Sequence, residues 1–336
     1  MAKDAHAGCI DGHAHVAPLS FLNVVQGSAK ALGVKVERTE DGHSITFPNM
    51  PSLRAAGGSL VDLEGRSEWM ASEGVTHQIT GAWLDIVGYT LTAKRELEWV
   101  HLLNEHMAAE VGAAGNKFRA LATVPLRSGD AAAQELEYAV TKLGMVGAML
   151  PSDPADVDVA SPALESFWAT ASKLDVPVLI HGATHSKWDR FGPSYLSYSL
   201  GRTLDTTVLA SKLILAGVLD RHPDLKLVLC HGGGALPYVI GRIEDFYQRG
   251  TDKVADLERH GPTDYLPSLY YDTVTLNERS LRMLIDFVGA GHIMLGSDYV
   301  WGPMASEFAG VVEKVGDAAE VDTIRHGTAQ GLFNLS

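Results

Sequence analysis

The sequence predicts an α/β protein whose strands close into a (β/α)8 TIM barrel, and three observations carry that prediction. Short apolar runs of strand length alternate with amphipathic helical stretches along most of the chain. Eight strands can be counted, the number that closes a small barrel. Several of these strands end in His or Asp. Polar groups gathered at the C-terminal ends of parallel strands describe the mouth of such a barrel.

The first strand carries Cys9-Ile10-Asp11-Gly12-His13-Ala14-His15. Side chains alternate along an extended strand, so His13 and His15 point the same way. Residues 18–59 interrupt the first βα unit; within them 34–47, centred on Asp41-Gly42, reads as a small hairpin. A helix at 60–73 then leads to a strand at 75–81, and 93–113 is a long amphipathic helix. A strand at 118–124, a helix at 129–143 and a strand at 147–150 follow. The helix at 161–174 feeds the apolar run 176–180, which ends in His181. Residues 182–203, rich in Gly, Ser and aromatics, read as a long loop after the fifth strand. The helix at 204–219 precedes the run 225–230, which ends in His231-Gly232-Gly233-Gly234. After a helix at 236–248 come a strand at 269–273, a helix at 278–288 and a strand at 293–296 that runs into Ser297-Asp298. No Pro/Gly/Ser linker divides the chain, so 1–336 is expected to be one domain, with 18–59 as an insertion over the barrel mouth.

The chain has 336 residues, 46% hydrophobic and 20% charged, and a formal charge of −14. That charge argues against nucleic acid as a partner, because phosphate binding needs clustered Lys and Arg. The apolar runs are too short to cross a bilayer, and no basic, apolar leader precedes the first strand. Two cysteines make no disulfide framework. The expectation is a cytoplasmic protein with a small-molecule partner.

His13, His15, His181 and Asp298 offer three nitrogens and one oxygen, a set that suits one divalent ion, with zinc the default. Mixed His and carboxylate ligands also suit Mn²⁺ or Fe²⁺. A second ion would need a bridging anionic ligand, and the fourth strand, Gly147-Ala148-Met149-Leu150-Pro151, supplies neither Lys nor Glu. His231 is then surplus to a four-ligand site. It is either a general acid/base beside that site, a fifth ligand, or a support for one. Asp298 is counted as catalytic as well as ligating. Gly232-Gly233-Gly234 permits a sharp turn; a phosphate cradle is a weaker reading, since no Lys-Ser/Thr follows. Trp83 is either a substrate contact or a core residue. His101 and His106 lack a ligand spacing, and His43, His222, His260 and His326 are expected at the surface.

With these residues assembled, the chain resembles the amidohydrolase superfamily, and within it the branch typified by aminocarboxymuconate semialdehyde decarboxylase. Asp11-Gly12-His13-Ala14-His15 matches the opening metal motif of that superfamily. His231-Gly232-Gly233-Gly234-Ala235-Leu236-Pro237 is similar to the branch's His-Gly-Gly-Gly-Ala-Phe-Pro, and Gly296-Ser297-Asp298-Tyr299 to its Gly-Thr-Asp-Tyr. The resemblance implies zinc on His13, His15, His181 and Asp298, with His231 as acid/base. It also implies two carboxylate-binding arginines, Arg54 and Arg242, the second reaching a neighbouring subunit's substrate in a homodimer. Bidentate guanidinium–carboxylate pairing suits arginine to both posts. A solvated or structural role is the alternative for each.

The pocket departs from the branch pattern. Gly182-Ala183, with His185 nearby, stands where the family often has Pro-Trp, and Val300-Trp301 where it has Pro-Phe. Tyr198 falls where the branch has a substrate-contacting tryptophan. The expected activity is metal-dependent, non-oxidative decarboxylation of an unsaturated or aromatic carboxylic acid. The alternative is hydrolysis of a C–C, ester or lactone bond by the same site.

Overall fold

A computed structural model describes residues 8–48, 50, 54–154, 156–182, 194–250, 255–301 and 308–335. Strand β1 (Cys9–Val16) is buried at every position. This is the pattern of a parallel strand covered on both faces. Helix α1 (Leu19–Leu32) and the hairpin β2 (Lys35–Thr39) and β3 (Gly42–Thr46) form the insertion. Next come α2 (Leu63–Glu73), β4 (Val75–Ala82), α3 (Ala93–Ala113), β5 (Phe118–Ala120), α4 (Gly129–Thr141) and β6 (Ala148–Pro151). They are followed by α5 (Glu165–Lys173), β7 (Val178–His181), α6 (Ser194–Leu196), α7 (Arg202–Leu215), α8 (Val218–Arg221) and β8 (Leu227–Leu229). Helix α9 (Leu236–Gln248), β9 (Tyr270–Asp272), α10 (Glu278–Val288) and β10 (Ile293–Met294) complete the repeat.

The eight barrel strands form two parallel sheets, β1-β4-β5 and β10-β9-β8-β7-β6. Backbone hydrogen bonds join them at both seams. Ala122 donates to Gly147 (2.8 Å) and Met149 to Ala122 (2.9 Å); at the other seam Gly12 donates to Leu295 and His15 to Tyr299, both at 2.8 Å. One contiguous apolar core runs from Cys9 to Leu335. These contacts set the strand ends in a ring, which places the ends of β1, β7, β8, β9 and β10 around one centre.

Several boundaries differ from the sequence reading. The ladder of the third strand stops at Ala120 and that of the eighth at Met294. Past Met294 the Leu295 N–H turns to Ile324 O and its carbonyl to Gly12, so these groups leave the β9 ladder. The helix expected at 204–219 breaks at Gly217, whose φ of 66° is left-handed. Residues 194–203, read as loop, are helical, with a π turn at Ser197–Gly201. Ala183 and His185 lie outside the described residues.

The insertion contains the expected hairpin, turned by Glu40 and Asp41, but also the fourteen-residue α1 that the pattern did not reveal. Only Phe21, Leu22 and Val25 of α1 are buried, so its apolar stripe is narrow. Phe21 and Phe47 both meet the Trp99 ring of α3, at centroid distances of 5.0 and 5.3 Å. His43 is buried, not at the surface: alternation along β3 turns it inward with Ile45, and its backbone pairs with Ala56. His222 is half-buried against Glu165 (2.8 Å).

Helix α1 begins at Pro18, which has no capping side chain. Glu110 of α3 takes that place, accepting from the Leu19 and Ser20 N–H groups at 2.9 and 3.0 Å and from Ser20 Oγ at 2.8 Å. A carboxylate on free N–H groups at a helix N-terminus stabilises it by about 1 kcal/mol. Glu110→Ala should therefore lower the unfolding free energy by that amount, seen as a lower urea midpoint with an unchanged denaturation slope and unchanged metal content.

Candidate metal centre

His13 and His15 project from the same face of β1, His181 ends β7, and Asp298 follows β10. Ring closure brings them together. His15 Nε2 lies 3.2 Å from His181 Nε2 and 3.0 Å from Asp298 Oδ1. His13 Nε2 is 3.5 Å, and His181 Nε2 3.8 Å, from the same oxygen. The four donor atoms lie within 4.8 Å of one another.

Two hydrogen bonds set the tautomers. His13 Nδ1–H donates to Asp272 Oδ2 (2.7 Å), and His181 Nδ1–H to the Gly182 carbonyl (2.8 Å). Each leaves its Nε2 lone pair facing the cluster, and His13 Nε2 has no hydrogen-bond partner there. Burial lowers the pKa of His15 and, more strongly, of His181, keeping both imidazoles neutral. Burial opposes charge on Asp298, but hydrogen bonding from His15, His181 and His231 outweighs it and holds this carboxyl well below the usual range. Inward-facing imidazole nitrogens around an ionised carboxylate fit a divalent cation.

His231 stands beside this set. Its Nε2 is 3.5 Å from Asp298 Oδ2, the oxygen turned away from the other histidines' nearest contacts, and its side chain is 12% exposed. The backbone here is strained: His231 and Asp298 have φ of 58° and 51°, conformations costing roughly 1–3 kcal/mol each in non-glycine residues. Asp272 holds the first, accepting from His231 N (3.0 Å) and Gly232 N (2.9 Å). Asp11 holds the second, accepting from Ser297 N (2.9 Å) and Ser297 Oγ (2.6 Å), while Asp298 N donates to His13 O (2.9 Å). The triple glycine is no phosphate cradle. Its N–H groups are taken by Asp272, Cys230 and His231, and a Cβ at Gly234 would lie 2.1 Å from Thr203 O.

A cleft of about 880 Å³ opens over the cluster, lined among others by His231, Asp298, Tyr198, Arg202 and Trp301. Arg54 reaches this region, its guanidinium 4.1 Å from the Trp301 ring centroid and 5.3 Å from that of Tyr198. Trp83 is buried in the core, its ring centroid 5.8 Å from that of Trp301. Arg242 is exposed on α9 and lies over Phe246 at 5.2 Å. Sequence reasoning missed Asp272, Asp11, Arg202 and Trp301 as parts of this assembly. Asp272 did carry a signal, because it ends a strand as His181 does.

A sequence model of the family described as amidohydrolase matches residues 10–335. A 2-amino-3-carboxymuconate-6-semialdehyde decarboxylase of Dictyostelium discoideum is 25% identical over 290 residues, covering 86% of this chain and 81% of that protein. A gamma-resorcylate decarboxylase of Rhodococcus jostii is 31% identical over 222 residues, 61% of this chain and 67% of that protein. A solved dihydroxybenzoic acid decarboxylase of Polaromonas, with bound manganese and the inhibitor 2-nitroresorcinol, superposes with a TM-score of 0.78 at 22% identity, covering 98% and 97% of the two chains. At that identity the superposition establishes the shared fold.

Elemental analysis of the purified protein should find one divalent ion per chain, lost in His13→Ala, His181→Ala and Asp298→Ala. Asp272→Asn should keep the fold but weaken metal affinity by about 10–100-fold, the usual effect of losing an imidazole's outer partner. Two ions per chain, or full occupancy in the ligand variants, would contradict the assignment.

Proposed function

The chain belongs to the amidohydrolase family, and from that premise we propose that it is a metal-dependent, non-oxidative decarboxylase of an unsaturated or aromatic carboxylic acid. The observation that carries this reading is His231, poised over the cleft next to Asp298 yet outside the four-ligand cluster. Decarboxylases among the relatives support it.

His13, His15, His181 and Asp298 would hold a divalent ion, whose positive charge would polarise a substrate oxygen. Zinc is the occupant we propose from the nitrogen-rich set, with manganese, as bound in the Polaromonas enzyme, the competitor that elemental analysis separates. His231 delivers a proton to the carbon that bears the carboxylate. The C–C bond then breaks, CO2 leaves, and the bonding pair stays on carbon. Asp298 orients His231 through Oδ2, and Asp272 fixes the backbone that carries it. Arg54 binds substrate carboxylate, with Tyr198 and Trp301 shaping that wall and Trp83 packed behind Trp301, and the 18–59 insertion supplies this side of the single 1–336 domain.

The enzyme works in the cytoplasm, in keeping with two free, buried cysteines and with the lack, among the described residues, of any helix long and apolar enough to cross a membrane. It does so as a homodimer, with Arg242 serving the partner's site. Support comes from α9, which leaves Tyr238 81% and Phe246 45% exposed beside Arg242.

His231→Asn should retain metal and fold while kcat falls by about 10²-fold or more, the scale of general acid–base catalysis. In isotope-labelled water, turnover should release CO2 and place one solvent hydrogen on carbon; solvent oxygen in a product carboxylate would instead mean hydrolysis. Mixing inactive His231→Ala chains with inactive Arg242→Ala chains should restore part of the activity, because a hybrid dimer has one intact site. Hybrids that form without recovering activity would rule out the shared site.

A further inference from the structure

Arg202 opens α7 directly after the π turn Ser197–Gly201, and it lines the cleft with His231 and Asp298. Short π segments occur frequently at functional sites, because the extra residue re-aims the side chains that follow. Here the turn carries Tyr198, and the guanidinium of Arg202 lies 4.7 Å from that ring centroid. Arg54, from the insertion, lies 5.3 Å from the same centroid. Two guanidiniums thus share one phenol ring on the wall of a partly buried cleft.

Among the described residues, their charge is only partly balanced locally. Asp85 is 3.9 Å from Arg54 and is the carboxylate in ion-pair range of it. Arg202 feels Asp85 and Asp298 only through space. Asp298 is committed to the histidine cluster. Arg202 Nε is buried without a hydrogen-bond partner. A buried donor left open on a charged group costs free energy unless an anion completes it.

The backbone is built to hold this side chain there. A Cβ at Gly182 would sit 2.4 Å from the Cβ of Arg202. Glycine immediately after the ligand His181 therefore lets the first turn of α7 press against the end of β7. That close approach brings an arginine beside the metal cluster, and a larger residue at 182 would push it away.

We propose that Arg202 is a substrate-anchoring, specificity-determining residue that binds a carboxylate of the substrate by a charge-assisted hydrogen bond. The substrate is then a planar conjugated acid, its face against Tyr198 and Trp301 and its carboxylate on Arg202. This rests on the decarboxylase reading for the identity of the acid as substrate, but the anion site itself is independent of turnover.

The test uses metal-loaded protein and calorimetric titration of three acids, benzoate, 2,6-dihydroxybenzoate and benzene-1,3-dicarboxylate, each against its neutral amide. Wild type should bind at least one acid about tenfold or more tighter than its amide, and Arg202→Met should reduce that preference to about twofold, while Arg202→Lys retains part of it. Because an unpartnered buried charge is removed, Arg202→Met should melt at the same or a higher temperature. Absence of acid preference in wild type overturns the proposal. So does a Met variant that melts lower and keeps the preference, the mark of a structural arginine. CO2 release with an unchanged preference in the variant removes the anchor and leaves the decarboxylase. A preference lost in the variant, without CO2 release from any acid by wild type, removes the decarboxylase and leaves the anchor.

Discussion

The carboxylate of Asp272 is the contact on which the rest of the site depends. One oxygen takes the Nδ1–H of His13 and the backbone N–H of His231; the other takes Gly232 and Val274. A single buried group therefore sets the tautomer of one proposed ligand and the left-handed backbone of the proposed acid/base. Its own charge persists in the interior because these donors outweigh the cost of burial and keep its pKa below the ordinary value. Asp11 does the corresponding work at the seam between β1 and β10, where Ser297 and Gln78 donate to it and position the segment that bears Asp298.

This arrangement explains why the barrel is needed. His13 and Asp298 are 285 residues apart, and Asp298 N donates to His13 O across the seam where the first and last strands meet. Closure and assembly of the ligand set are thus one event. Strain at His231 and Asp298 is tolerated for the same reason: hydrogen bonds from neighbouring strands over-determine both positions. The periphery is held by more local devices, such as Glu110 capping α1 and the aromatic contact of Phe21 and Phe47 with Trp99.

The electrostatic character changes from the base of the cleft to its wall. At the base, the neutral imidazoles of His15 and His181 stand beside an anionic carboxylate, a set that suits a cation. On the wall, Arg54 and Arg202 gather against Tyr198 and Trp301. A molecule that offers an oxygen to the base and a carboxylate to the wall matches both, which is the form of an oxygenated aromatic or unsaturated acid.

What the sequence by itself determined follows from local periodicity. Alternation along Cys9–Val16 placed His13 and His15 on one face, and apolar strands ending in His181, His231 and Ser297-Asp298 marked the C-terminal rim before any contact was known. Helices such as Ala93–Ala113, Leu236–Gln248 and Glu278–Val288 were legible to the residue, because their apolar stripes are encoded within a few turns. Helix α1 was not, since its three buried residues make too narrow a stripe and its cap comes from Glu110, ninety residues on. Arg202's place at the site, and the partners that Asp272 and Asp11 serve, were decided only by tertiary structure. Each acts through partners from distant strands or through a close backbone approach such as Gly182 to Arg202, and no spacing along the chain records which charges will share one buried volume.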